Sequence, residues 1–252
     1  MTFADLAWLP PGMSETAAFF LLGVSFVASL IAAAFSLGGG VVMIAVLASF
    51  LPPAALIPVH AVVQVGSNAG RAALMLRQVD WPVWGTFLIG TVVGVAIGGV
   101  IVVDLPAAII QIAVGLFILW TIVGKPPAFL RHSAWLAGVI SSILTMFFGA
   151  TGPFIAAYLK TRNYDRITQT ATHAACMTAQ HGLKIVAFGV LGFAFGPYIV
   201  LIAAMIGTGL LGTLVGRRIL MKINETFFKR VLNAILILLA LRLIWAGAST
   251  YL

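Results

Sequence analysis

A chain of 252 residues that is 62% hydrophobic and 8% charged, with a mean hydropathy of +1.15, has far less charge than the roughly 25% of a soluble domain. Water is excluded as its main solvent, and the composition describes a single membrane domain, 1–252, with no soluble appendage. The net charge of +8 does not mark a nucleic-acid binder, because the Lys and Arg residues fall in short connectors between apolar runs, and the lone Cys176 excludes an intrachain disulfide or a paired-cysteine metal site.

The first apolar run covers about 16–36 and follows Asp5 and Glu15 rather than a basic segment, so it does not read as a cleaved signal peptide. It ends at Phe35-Ser36-Leu37-Gly38-Gly39-Gly40, and a short run at 41–51 follows. Together they are expected to form a helical hairpin with a glycine-rich tip. Runs at 54–77, 81–103 and 106–124 are long enough to cross a hydrocarbon core, which takes roughly 20 apolar residues. The pattern then recurs: short runs at 133–149 and 153–160 flank Gly149-Ala150-Thr151-Gly152-Pro153, a second expected hairpin, and long runs at 167–189, 193–216 and 226–248 follow.

Displaced by 113 positions, the sequence superimposes on itself without a gap from Phe35 on Phe148 to Gly99 on Gly212. Gly39 falls on Gly152, His60 on His173, Arg71 on Lys184 and Gly94 on Gly207, while Asn68 meets His181. The expected fold is an all-α polytopic membrane protein of two repeats, about 16–124 and 133–248, each a Gly-tipped helical hairpin plus three transmembrane helices. If each hairpin returns to its own side, then Arg77, Lys125, Arg131, Lys160, Arg162, Arg166, Arg217, Arg218, Lys222, Lys229 and Arg230 all lie on one side, and only Arg242, inside the last run, sits towards the other. The positive-inside rule makes the basic side cytoplasmic and both termini periplasmic. Counting each hairpin as one crossing scatters the basic residues over both faces. The second half then starts on the opposite side from the first, so the repeats are inverted, as in many secondary transporters.

The run at 54–77 carries His60, Gln64, Ser67, Asn68 and Arg71 at intervals of three and four, along one helical face, and the run at 167–189 carries His173, Met177, Gln180, His181 and Lys184 likewise. Ionisable groups inside a bilayer are costly unless they meet protein, water or a partner. The stripes read either as hydrogen-bonded helix packing, with Arg71 and Lys184 snorkelling to opposite interfaces, or as the lining of a central site. The glycine tips also allow two readings. They can be tight turns, or they can be anion sites, because a broken helix leaves unpaired N–H groups at the positive end of its dipole. Gly90, Gly94 and Gly98, like Gly212 and Gly216, have the spacing of close helix contact. Gly207-Thr208-Gly209-Leu210-Leu211-Gly212 matches a dinucleotide fingerprint literally, but it lies inside an apolar helix with no preceding strand. No P-loop, HExxH or GxSxG pattern supports ATP-driven transport or a familiar hydrolase.

The tips Phe35–Gly40 and Gly149–Pro153, with the paired glycine-rich segments Gly94–Gly99 and Gly207–Gly212, resemble the sulfite exporter TauE/SafE family, also called the 4-toluene sulfonate uptake permeases, over about 16–248. The resemblance implies a carrier in the bacterial plasma (inner) membrane for sulfite, sulfonates or related organosulfur anions, and not an enzyme. On this reading the substrate-binding residues are Ser36, Gly38, Gly39, Gly40, His60, Gln64, Asn68, Arg71, Thr151, Gly152, His173, His181 and Lys184. The expected partners are a small anion, the lipid bilayer and a proton or other coupling ion, with no nucleic acid, no cofactor and no metal. A histidine suits proton uptake because its reference pKa is about 6.5. Two rivals stand beside this reading. One is a membrane-embedded metalloenzyme ligated by His60, His173 and His181, which would lack a carboxylate in its predicted core; the other is a passive anion channel.

Overall fold

The computed structural model describes residues 9–35, 38–102, 106–125, 128, 132–219 and 225–251. Ten α-helices occupy the described residues: α1 Glu15–Phe35, α2 Gly39–Leu47, α3 Pro53–Leu74, α4 Trp81–Val102, α5 Ala107–Val123, α6 Ala134–Phe148, α7 Gly152–Leu159, α8 Arg166–Val190, α9 Ile199–Ile219 and α10 Glu225–Ala248. Local chemistry sets their starts. The Ser14 hydroxyl accepts from the N–H of Ala17 at 3.2 Å ahead of α1, Ser133 caps α6 by accepting from Leu136, and the Asp165 carboxylate accepts from Ile167 and Thr168 at the start of α8. Pro52 and Pro53 open α3, where a missing N–H costs nothing.

The two expected hairpins are present as helix breaks, between Phe35 and Gly39 and between Phe148 and Gly152. Gly38 at φ +92° and Gly149 at φ +79° make the turns, a backbone region open to glycine at little cost. The run expected at 193–216 is displaced: Gly192 at φ +88° ends the segment after α8, a single turn at Gly196–Tyr198 follows, and α9 starts only at Ile199. Phe193 and Phe195 therefore meet edge to face in the connector, with centroids 4.8 Å apart, instead of entering the helix.

Segments at Glu15–Ala33, Trp81–Val102 and Gly196–Gly216 have the length and apolarity of membrane spans. Their outward residues, such as Val100 at 74% exposure, have the chemistry of a lipid-facing surface. Where lipid is as apolar as the side chains, close packing joins helices, and small residues allow it. Accordingly α4 lies on α6 through Gly90, Gly94 and Gly98, where a Cβ on Gly98 would stand 2.8 Å from Met146 Cγ, and α9 lies on α1 through Gly209, Gly212 and Gly216, where a Cβ on Gly216 would stand 2.7 Å from the Leu30 carbonyl oxygen. Helices α3 and α8 pack against each other at the centre, and α5 packs on α10. The short helix α2 is sheathed by α1, α3, α5 and α10, with Val41 to Leu47 all buried. The short helix α7 is covered by an aromatic stack in which Phe117 lies over Phe148 at 4.8 Å and Trp120 over Phe154 at 5.1 Å.

Candidate functional site

Helices α3 and α8 bring the two polar stripes face to face, and the two glycine tips converge beside them. Between them lies a cavity of about 40 Å³, lined on one side by Gly38, Gly39, Gly40, Val41, Gln64, Asn68 and Arg71 with Ala32, and on the other by Ala150, Gly152, Pro153, His173, Met177 and His181. At roughly 10–15 Å³ for each water that a cavity holds, the space suits a few waters or a compact oxyanion.

Arg71 is 4% exposed. One of its terminal nitrogens donates to the Asn68 side-chain oxygen, and Asn68 is held in turn by donating to the Gln64 carbonyl at 2.8 Å and to the Gln64 side chain at 3.2 Å. The remaining guanidinium groups, Nε and Nη1, have no partner among the described residues. Among the described residues no carboxylate lines the cavity, so within them this is a buried cation without a counter-ion, an arrangement that costs free energy unless an anion arrives.

The glycine tips contribute unequally. Helix α2 begins at Gly39, so the amides of its first turn lack partners within the helix. Helix α7 begins Gly152-Pro153, and proline removes one donor while the N–H of Phe154 is taken by the Thr151 carbonyl at 3.0 Å. The first tip is thus the stronger anion-binding end. Each tip is fixed by a histidine: His60 Nε2 donates to the Gly40 carbonyl at 3.0 Å and His173 Nε2 to the Gly152 carbonyl at 3.1 Å. Since a carbonyl can only accept, both rings carry their proton on Nε2. Between them His60 and His181 meet edge to face with centroids 5.6 Å apart.

Nine of the thirteen residues expected at the site line the cavity: Gly38, Gly39, Gly40, Gln64, Asn68, Arg71, Gly152, His173 and His181. Ser36 lies outside the described residues. His60 stands behind the first tip, fully buried. Thr151 turns away, donating to the Ser141 carbonyl at 3.0 Å and to Gln180 at 3.2 Å. Lys184 is also fully buried, with its ammonium on the Gly149 carbonyl at 3.0 Å and the Thr145 hydroxyl at 3.2 Å. Neither cation snorkels: both side chains are enclosed by protein because their helices occupy the centre of the bundle.

Sequence reasoning missed Ala32, Val41, Ala150 and Pro153 as wall residues, and the hydroxyl cluster of α6. Ser141 and Ser142 both accept from the Gln180 amide at 2.9 Å, and Thr145 meets Lys184. The spacing of 141, 142 and 145 on one helical face was the available signal. For the metalloenzyme reading, the described residues hold no group of three His, Cys, Asp or Glu side chains able to bind a metal ion.

Among known proteins, the family model described as Sulfite exporter TauE/SafE matches residues 21–243. No curated protein and no solved structure matches the chain.

Proposed function

The chain belongs to the sulfite exporter TauE/SafE family, a family of membrane transporters and not of enzymes, and from that premise we propose that it is a secondary carrier of a compact sulfur oxyanion, sulfite or a small sulfonate, across the bacterial inner membrane. The observation that carries the reading is Arg71. Among the described residues, a guanidinium with two unpartnered groups lines a cavity that has no carboxylate, and the first-turn amides of α2 add donors at the positive end of a helix. The oxyanion supplies the missing counter-charge, and Gln64 and Asn68 hold the guanidinium in place. The size of the cavity favours a compact anion over an aryl sulfonate.

The packing supports two inverted repeats. Exchanging the halves turns the α1–α9 contact into α6–α4, turns α4–α8 into α9–α3, and maps α3–α8 and α5–α10 onto themselves. Polar contacts follow the same exchange: Ser29 with Ser67 at 3.0 Å corresponds to Ser142 with Gln180 at 2.9 Å, and His60 on Gly40 to His173 on Gly152. The symmetry is broken at the cavity, which includes Arg71 and leaves out Lys184. Such inequality of two equivalent halves is what one conformation of an alternating-access carrier requires. The one-sided Lys and Arg distribution supports a topology with both termini in the periplasm.

Uptake of radiolabelled sulfite and methanesulfonate into proteoliposomes tests the function. Saturable flux, accelerated by unlabelled anion on the far side and lost in Arg71→Gln, is the expected result. Flux that never saturates and shows no counter-transport would assign a channel, and absence of flux for both anions would reject the proposed substrate class.

A further inference from the structure

Lys184 and Arg71 hold corresponding positions in the two halves, yet they are engaged differently. Lys184 Nζ donates to the Gly149 carbonyl at 3.0 Å and to the Thr145 hydroxyl at 3.2 Å, and lies 3.5 Å from the Thr145 carbonyl. These atoms belong to the last turn of α6 and the residue that ends it, where unpaired carbonyls form the negative end of the helix dipole. An ammonium there closes off the broken helix and fixes the turn into the second tip. The Thr145 hydroxyl adds its own bond to the Gly149 carbonyl at 3.0 Å, so the turn is held by a three-membered polar knot with no carboxylate in it. The residue corresponding to Thr145, 113 positions earlier, is Ala32 at the end of α1. Ala32 offers no hydroxyl, it lines the cavity beside Arg71, and the Arg71 Nε and Nη1 groups stay unpartnered.

We infer that Lys184 is the positioning residue that seals the second half in this conformation, and that transport exchanges the two cations: Lys184 leaves the end of α6 to face the anion as Arg71 turns onto the end of α1. The inference rests on the carrier reading, but it explains what that reading leaves open, namely why two buried cations in equivalent places serve one anion. In the loaded protein each cation then has one of two partners, a helix end or the substrate. Neither is left buried and unpaired in the loaded protein, which keeps the desolvation cost off the transport cycle.

Thiol labelling tests this without any substrate. With Cys176 replaced by Ala, a single cysteine is placed at Ala32 or at Thr145, and its modification by a small charged thiol reagent is timed in proteoliposomes. Lys184→Gln removes the seal, so labelling at position 145 is expected to rise about tenfold while labelling at position 32 falls. Arg71→Gln removes the bond that favours the opposite conformation, so the two rates should move the other way, and Lys184→Arg should restore the parental rates. A merely structural lysine would raise labelling at 145 and leave 32 unchanged, which overturns the exchange, as do rates at both positions that ignore Lys184→Gln. Failure of sulfite transport by the unmodified chain would instead reject the substrate class and leave these rates as an independent result.

Discussion

Replacing Arg71 by Met separates the cost of a buried charge from its use. The guanidinium is 4% exposed and, among the described residues, Nε and Nη1 have no partner while a terminal nitrogen donates to Asn68. A hydrogen bond to a charged group contributes about 1.5–3 kcal/mol. Two such bonds to an oxyanion, taken at the low end, give about 3 kcal/mol, or a loss of roughly a hundredfold in affinity on substitution. The stability of the empty protein should not fall, because methionine fills similar volume without an unpaired charge, and even buried ion pairs can be replaced by well-packed apolar residues at no cost to stability. The assay is paired: sulfite binding by titration calorimetry on detergent-purified protein, and the apparent Tm of the same samples without anion. The expected outcome is lost binding with a Tm that is unchanged or a few degrees higher. A variant that binds sulfite normally, or that loses binding only because its Tm has fallen, would refute the reasoning.

The two tip glycines should respond differently to alanine. A Cβ on Gly152 would stand 3.4 Å from His173 Nε2, within reach of a small adjustment, whereas one on Gly39 would run into the Ala28 carbonyl and lie 2.7 Å from Ala32 Cβ. Gly152→Ala is therefore expected to keep its Tm and lose affinity by occupying cavity space, and Gly39→Ala to lower the Tm, both read on the paired assay above. Asn68→Leu should cut affinity about tenfold through Arg71, since Asn68 accepts from the guanidinium and is anchored on Gln64; normal binding would show that Arg71 orients without it. Cysteine introduced at the exposed Lys160 should react with an impermeant reagent only from the cytoplasmic side, and labelling from the periplasm would invert the assigned topology. Hydrogen bonds from the Thr168 hydroxyl and backbone hold the Asp165 carboxyl below its ordinary value. That contribution to the start of α8 is complete above the ordinary carboxylate range and is lost as pH falls from there through the lowered value, so Asp165→Asn should flatten the acid limb of the Tm profile; an unchanged acid limb would show that the cap does not set it.

The sequence already carried the membrane class and the helix breaks. Apolar run length measures the crossing of a hydrocarbon layer, and glycine is the residue that allows Gly38 and Gly149 their positive φ. It also placed the polar stripes of α3 and α8 on single faces, because three-and-four spacing is a property of any helix. It misplaced the start of α9, where a turn at Gly196–Tyr198 interrupts an apolar stretch that composition alone cannot distinguish from helix. The division of labour between residues that look equivalent arises from packing. Arg71 and Lys184 align in sequence and both lie buried, yet one faces a cavity and the other the end of α6. Thr151 and His60 share the stripes and tips with cavity residues but bond away from it. A hydroxyl or ammonium takes the nearest acceptor that packing presents, and that acceptor lies on another segment, 10 residues away for Thr151 and 35 for Lys184. Helix periodicity fixes the face on which a side chain stands, whereas the helix opposite fixes what it meets.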